Sequence, residues 1–224
     1  MRTVFVTGSG TEIGKTFVTA ALCRQLRAQG RQPAVLKPVV SGYTPEEAEG
    51  SDPGRLLAAL GRPIDEDEIA RISPWRFAAP LAPDMAAKRE GRIIDYSAIV
   101  TFCREEARTG TGDVLLIEGI GGVMSPVAER ISVLDWMFDL AAPALLVAGT
   151  YLGTISHTLT AAECILRRNL RLLGIVLSES PESPVPIEET GEAVARFLHD
   201  VPVVTIPRRC GMEDLPDLTA LIEA

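Results

Sequence analysis

Residues 8 to 16 read Gly8-Ser9-Gly10-Thr11-Glu12-Ile13-Gly14-Lys15-Thr16, closing on a glycine, a lysine and a hydroxyl residue. That close suits the gripping of phosphates. Gly14 lets the backbone approach an anion, successive N–H groups and a following helix N-terminus supply partial positive charge, and Lys15 neutralises terminal phosphates. The hydroxyl of Thr16 is placed to meet a magnesium ion. The strict pattern puts its first glycine at position 9, where Ser9 stands between Gly8 and Gly10. The loop therefore predicts a bound nucleoside triphosphate with Mg2+, in the right shape with one liberty of register.

Further polar residues break out of apolar runs. Lys37 follows Ala34-Val35-Leu36, where it could stabilise charge on a transferring phosphoryl group, and Ser41 could hydrogen-bond an acceptor. Glu118 follows Val114-Leu115-Leu116-Ile117, the place where nucleotide-binding proteins hold a metal, usually through aspartate. Gly119-Ile120-Gly121-Gly122 after it allows close approach of the backbone. Asp52 is a second candidate metal carboxylate, with a helix cap before Pro53 as its other reading.

These residues need a scaffold that brings strand ends together. Apolar runs without alternation lie at 3–7, 33–39, 114–117, 144–149, 171–177 and 201–206, and helical periodicity at 16–29, 53–60, 96–108, 133–140, 154–168 and 187–198. Strand followed by helix, repeated, predicts an α/β fold: one parallel sheet with helices on both faces, over a single domain spanning 1–224. Right-handed crossovers then put the loops after the strands at one edge, where ligands bind. Two stretches, 41–51 and 71–92, interrupt the alternation and read as long, functional loops at that edge.

The bulk figures narrow the partners. With 22 Lys and Arg against 30 Asp and Glu the net charge is -8, which repels nucleic acid. The four cysteines are far apart and read as reduced thiols rather than a zinc knuckle or redox pair. No apolar run approaches the length of about 18 residues that a membrane helix needs, and no signal-peptide pattern precedes Gly8, so a cytoplasmic location is expected.

Taken in order, Phe5-Val6-Thr7-Gly8 through Thr16, Lys37-Pro38-Val39-Val40-Ser41-Gly42, Ser51-Asp52, Glu118-Gly119 with Gly121-Gly122, and Leu152-Gly153 with His157 resemble the landmarks of the dethiobiotin synthetase family, from residue 3 to about 177. The resemblance implies a P-loop fold and an ATP- and Mg2+-dependent cyclising carboxylase, which makes a cyclic urea from 7,8-diaminononanoate and CO2 through a carbamate and its phosphoric anhydride. It implies that Glu12, Ile13, Gly14, Lys15, Thr16 and Phe17 hold the phosphates, and that Thr16, Asp52 and Glu118 hold Mg2+. Gly119, Ile120, Gly121 and Ser178 would complete the nucleotide site, and Thr11, Lys15, Lys37 and Ser41 would contact the carbamate and γ-phosphate. Gly153 and Thr154, opening a helix, would receive the substrate's tail carboxylate across a homodimer interface.

The family often has aspartate where Gly10 stands, often histidine at Asp84, and commonly an adenine-reading asparagine at Ser178. His157 is expected to be structural or interfacial, and Trp75 and Trp136 to be packing residues. Two other functions fit the loop: a partition or cell-positioning ATPase, and an amide-forming ligase of cofactor synthesis. The first usually has an extra lysine early in the loop, absent from Gly8-Ser9-Gly10, and the second usually has a glutamine-hydrolysing domain for which 224 residues leave no room.

Overall fold

In a computed structural model, which describes residues 1–211 and 213–223, the six apolar runs become the six strands of one parallel sheet. In chain order the elements are β1 (Arg2–Gly8), α1 (Lys15–Ala28), β2 (Pro33–Leu36), β3 (Val39–Ser41), a 3₁₀ turn (Pro45–Gly50), α2 (Asp52–Leu60), α3 (Glu66–Ile72), β4 (Trp75–Phe77), α4 (Pro83–Arg89) and α5 (Tyr96–Thr109). There follow β5 (Val114–Glu118), β6 (Pro126–Ala128), β7 (Ile131–Ser132), α6 (Val133–Leu140), β8 (Ala144–Ala148), α7 (Thr154–Arg167), β9 (Leu172–Ser178), α8 (Ile187–Ala195), β10 (Val203–Ile206) and α9 (Thr219–Glu223). The main sheet runs β10-β9-β8-β1-β5-β2, so β1 lies at its centre between β8 and β5.

Burial explains the absence of alternation in these runs. Every residue of β5 and β8 is buried, as are Val4 to Gly8 of β1, because helices cover both faces. Phe5 of β1 packs edge-on against the fully buried Trp136 of α6, with centroids 5.1 Å apart, and Trp75 meets Phe102 in the same manner at 5.6 Å. Both tryptophans are packing residues. Burial raises the Cys23 and Cys103 thiols to about 12, whereas Cys164 and Cys210 are half-buried; all four are free.

The run at 33–39 is not one strand. Pro38 has no N–H to give, and the chain leaves the main sheet at Lys37, whose amide bonds the Ile72 carbonyl instead. Val39 to Ser41 then pair in parallel with Trp75 to Phe77, forming a separate two-stranded ribbon. The expected loop at 71–92 therefore holds β4 and α4, and that at 41–51 holds a 3₁₀ turn. A small antiparallel pair, β6 and β7, follows the Gly119 to Gly122 segment.

Local sequence sets the helix entries. Ser51 caps α2 by accepting from the Gly54 amide at 3.2 Å, so Ser51, and not Asp52, is the cap, and Asp52 is left to face inward from the first turn. Gly61 ends that helix at φ 67°. Ser132 and Asp135 form a reciprocal capping box at α6. α1 has no side-chain cap: it starts from Gly14 at φ 93°, leaving its first amides for a ligand.

Candidate functional site

Three strand ends converge on one cavity. β1 delivers the glycine loop, β2 ends one residue before Lys37, and β5 ends on Glu118, which pairs in register with Val6. Between them, with α2 and the segment before α4 as walls, lies a cavity of about 810 Å³. Thr11, Glu12, Ile13, Gly14, Lys15, Thr16 and Phe17 line it from the loop; Lys37, Val40, Ser41 and Asp52 line it from the opposite side, with Ile120 and Gly121 nearby.

The loop's shape depends on its glycines. A Cβ on Gly14 would stand 2.6 Å from the Ser178 hydroxyl oxygen, and the left-handed φ of 93° would strain any other residue. Glu12 also takes a positive φ, 56°, which a non-glycine residue adopts only where its surroundings hold it. Lys15 Nζ donates to the Gly10 carbonyl at 2.7 Å, folding back across the loop. Burial, helped by the like charge of Lys37, lowers the Lys15 ammonium to about 8.

At the cavity floor is a buried charge cluster. Lys37 Nζ lies 2.6 Å from Glu118 Oε1, 2.8 Å from the Gly119 carbonyl and 3.2 Å from Asp52 Oδ2. The Thr16 hydroxyl donates to the same Glu118 oxygen at 2.7 Å. Lys37 is 2% exposed and Glu118 0%. Burial alone would lower the Lys37 pKa, but Glu118 and then Asp52 outweigh it, and the value rises. Burial would raise Asp52; Lys37 and the Thr16 hydrogen bond overcome that and lower it. Lys37 and Asp52 are therefore held ionised at neutral pH.

Two polar atoms here have no partner: Glu118 Oε2 and the Ser41 hydroxyl are buried without a hydrogen bond. Native proteins rarely leave such groups unsatisfied, so both point to something that arrives. Thr16, Asp52 and Glu118 present a hydroxyl and carboxylates, the hard oxygen donors that suit Mg2+, which takes one or two carboxylates and completes its shell with phosphates and water. The donor set fits that ion.

Other expected site residues lie elsewhere. Ser178, at the end of β9, touches Gly14 from outside the cavity lining. Gly153, at φ 95°, and Thr154 open α7 outside the cavity lining; the Thr154 hydroxyl is committed to the Gly149 carbonyl at 2.7 Å and its amide to the Tyr151 carbonyl at 3.0 Å. His157 Nδ1 shares a 2.9 Å hydrogen bond with the Tyr151 hydroxyl, and nothing brings it to the charge cluster. Arg55, Leu81, Pro83 and Ser125 line the cavity without having been singled out from sequence. Pro83 belongs to a long loop already expected at this edge, and Arg55 stands three residues after Asp52, one helical turn on. No sequence signal marked Ser125, which accepts from the Gly122 amide at 2.7 Å.

Comparison with known proteins agrees with this geometry. Solved structures of similar fold include the septum site-determining protein MinD complexed with Mg-ADP from Pyrococcus horikoshii (TM-score 0.51, 18% identity, 99% of this chain and 93% of that one). Another is chloroplast FtsY from Physcomitrella patens (TM-score 0.55, 13% identity, 99% and 64%). At those identities they establish the P-loop fold alone. A family model described as an AAA domain matches residues 2–219. The ATP-dependent dethiobiotin synthetase BioD of Methylobacterium nodulans is 48% identical over 200 residues, covering 88% of this chain and 89% of that protein. The protein of the same name from Caulobacter vibrioides is 43% identical over 224 residues and 100% of both chains. The chain therefore belongs to the dethiobiotin synthetase family.

Proposed function

We propose that the protein is an ATP-dependent ligase that closes 7,8-diaminononanoate and CO2 into the cyclic urea dethiobiotin, with ADP and phosphate as the other products. Beyond family membership, the observation that supports this reading is the buried Lys37 held between Glu118 and Asp52, lining the same cavity as the phosphate loop. A partition-type switch carries its extra lysine early in the loop, where this chain has Gly8-Ser9-Gly10, whereas a lysine just beyond β2 can neutralise the anionic carbamate that a carboxylating ligase must hold.

In this reading the amides of Glu12, Ile13, Gly14, Lys15, Thr16 and Phe17 receive the phosphates, aided by the dipole of α1. Thr16, Asp52 and Glu118 would hold Mg2+, which would neutralise charge in phosphoryl transfer. Gly119, Ile120 and Gly121 complete the nucleotide site, with Ser178 beside the loop as the base-facing residue. Phosphoryl transfer asks mainly for positioning and charge neutralisation, which Lys15 and Lys37 supply while Thr11 and the unpartnered Ser41 hydroxyl orient the acceptor.

The amines must be neutral to react. An alkyl amine with a pKa of about 10.4 leaves roughly one molecule in a thousand uncharged near neutrality. The two lysines repel a second ammonium and so lower its pKa. One amine takes up CO2 as a carbamate, the carbamate oxygen attacks the γ-phosphorus of ATP with ADP leaving, and the second amine attacks the activated carbonyl and releases phosphate. As Gly153 and Thr154 are outside the lining of their own protomer's cavity, they are assigned to the tail carboxylate of a substrate bound by the partner in a homodimer. We place this single-domain enzyme in the cytoplasm; no helix among the described residues is long and apolar enough to cross a membrane.

The test is incubation with ATP, Mg2+, bicarbonate and 7,8-diaminononanoate, following phosphate and product mass together. The expected product is the cyclic urea in step with phosphate. Phosphate released with no cyclic urea would rule the assignment out.

A further inference from the structure

Three basic side chains line the cavity, and two have assigned contacts: Lys15 with the Gly10 carbonyl, and Lys37 with Glu118, Asp52 and the Gly119 carbonyl. The third, Arg55, is exposed and has no ion pair or side-chain hydrogen bond among the described residues. Arginines lining the cavity beside β2 are engaged: Arg31 pairs with Glu223, and Arg62 and Arg71 with Glu68.

Its backbone is well fixed. α2 begins under the Ser51 cap, and Gly54 packs so closely on the Ala48 carbonyl of the 3₁₀ turn that a Cβ has no room there. Helical side chains lean toward the N-terminus of their helix, so from one turn beyond Asp52 the Arg55 side chain leans back toward the corner where Asp52 meets Lys37. A phosphate chain that starts at the α1 N-terminus and runs toward Lys37 brings its last phosphate to this corner.

We propose that Arg55 closes on the terminal phosphate of the bound triphosphate, so that the cavity distinguishes triphosphate from diphosphate through this guanidinium as well as through the loop. The planar fork of arginine matches two phosphate oxygens at once, and its reach from an exposed helix turn lets it arrive after the nucleotide. Once the γ-phosphoryl group has passed to the carbamate and left as phosphate on ring closure, the contact has lost its partner and the remaining diphosphate is held less tightly. The inference rests on the nucleotide use proposed above and is independent of the diamine.

The experiment is calorimetric titration of the full chain with Mg2+ and either β,γ-methylene-ATP or ADP, for the wild type, Arg55→Ala and Arg55→Lys. Loss of one charge-assisted contact is expected to weaken the analogue about tenfold in Arg55→Ala, with ADP changed less than about twofold. Arg55→Lys, which keeps the charge and loses the fork, should fall between. Unchanged affinity for the analogue, or an equal loss for both nucleotides, overturns the proposal. The side chain is exposed, so the fold is not at risk. Failure of the ring-closing assignment would appear in the product-mass assay and leave these titrations as they are.

Discussion

Replacing Lys37 by methionine removes the charge and keeps most of the volume, leaving Glu118 fully buried with only the Thr16 hydroxyl as donor. Breaking a buried ion pair from one side costs about 3–5 kcal/mol. The Gly119 carbonyl also loses its 2.8 Å donor, a further penalty of about 1 kcal/mol. Urea unfolding in metal-free buffer at pH 7 should therefore place Lys37→Met about 4–6 kcal/mol below wild type. Adding Glu118→Gln, which takes away the unpaired buried charge, should recover about half or more of that deficit. A double variant no more stable than Lys37→Met alone would refute the argument that Glu118 is the charge left stranded.

Lys15→Ala, which deletes the only lysine on the loop, is expected to abolish turnover in the phosphate and product-mass assay while circular dichroism stays native. Gly14→Ala should destabilise by about 1–3 kcal/mol through its left-handed φ and its contact with Ser178, and weaken nucleotide binding; removing the serine side chain should recover only the steric part, as read by thermal unfolding and nucleotide titration. Asp135→Asn should cost about 1 kcal/mol at pH 7 by breaking the α6 capping box, after discounting for its partial exposure. Burial works against the Asp135 charge, but Ser132 and Arg168 lower its pKa, so the difference should vanish as pH falls below about 4. A thiol reagent should label Cys164 and Cys210 quickly and reach Cys23 and Cys103 only on unfolding; four equal rates would contradict the packing of α1 and α5.

The main sheet was legible because its strands are buried on both faces: six apolar runs became six strands, and each expected helix formed within a few residues of its expected bounds. The β3–β4 ribbon was not, because three-residue strands carry no measurable period and 33–39 reads as one apolar run until Pro38 is seen to turn it out of the sheet. Lys37, Ser41, Asp52 and Glu118 were visible as polar residues at the ends of apolar runs. That Lys37 is buried between Glu118 and Asp52 was not, since a lone lysine at a strand end is ordinarily solvated. Arg55 and Ser125 lie on elements whose sequence is ordinary, and only the folded cavity distinguishes them.

The two sides of the cavity differ in how they are anchored. The phosphate loop hangs from β1, whose amides are laddered to neighbours on both sides and sealed under two layers of helix. The opposite side is carried by β3, which stands outside the main sheet on a three-residue ladder to β4. Amide exchange in β1 should require global unfolding, whereas the ribbon can open as a local unit at a fraction of that free energy. Movement that admits the second reactant is then expected at the ribbon and not at the phosphate loop.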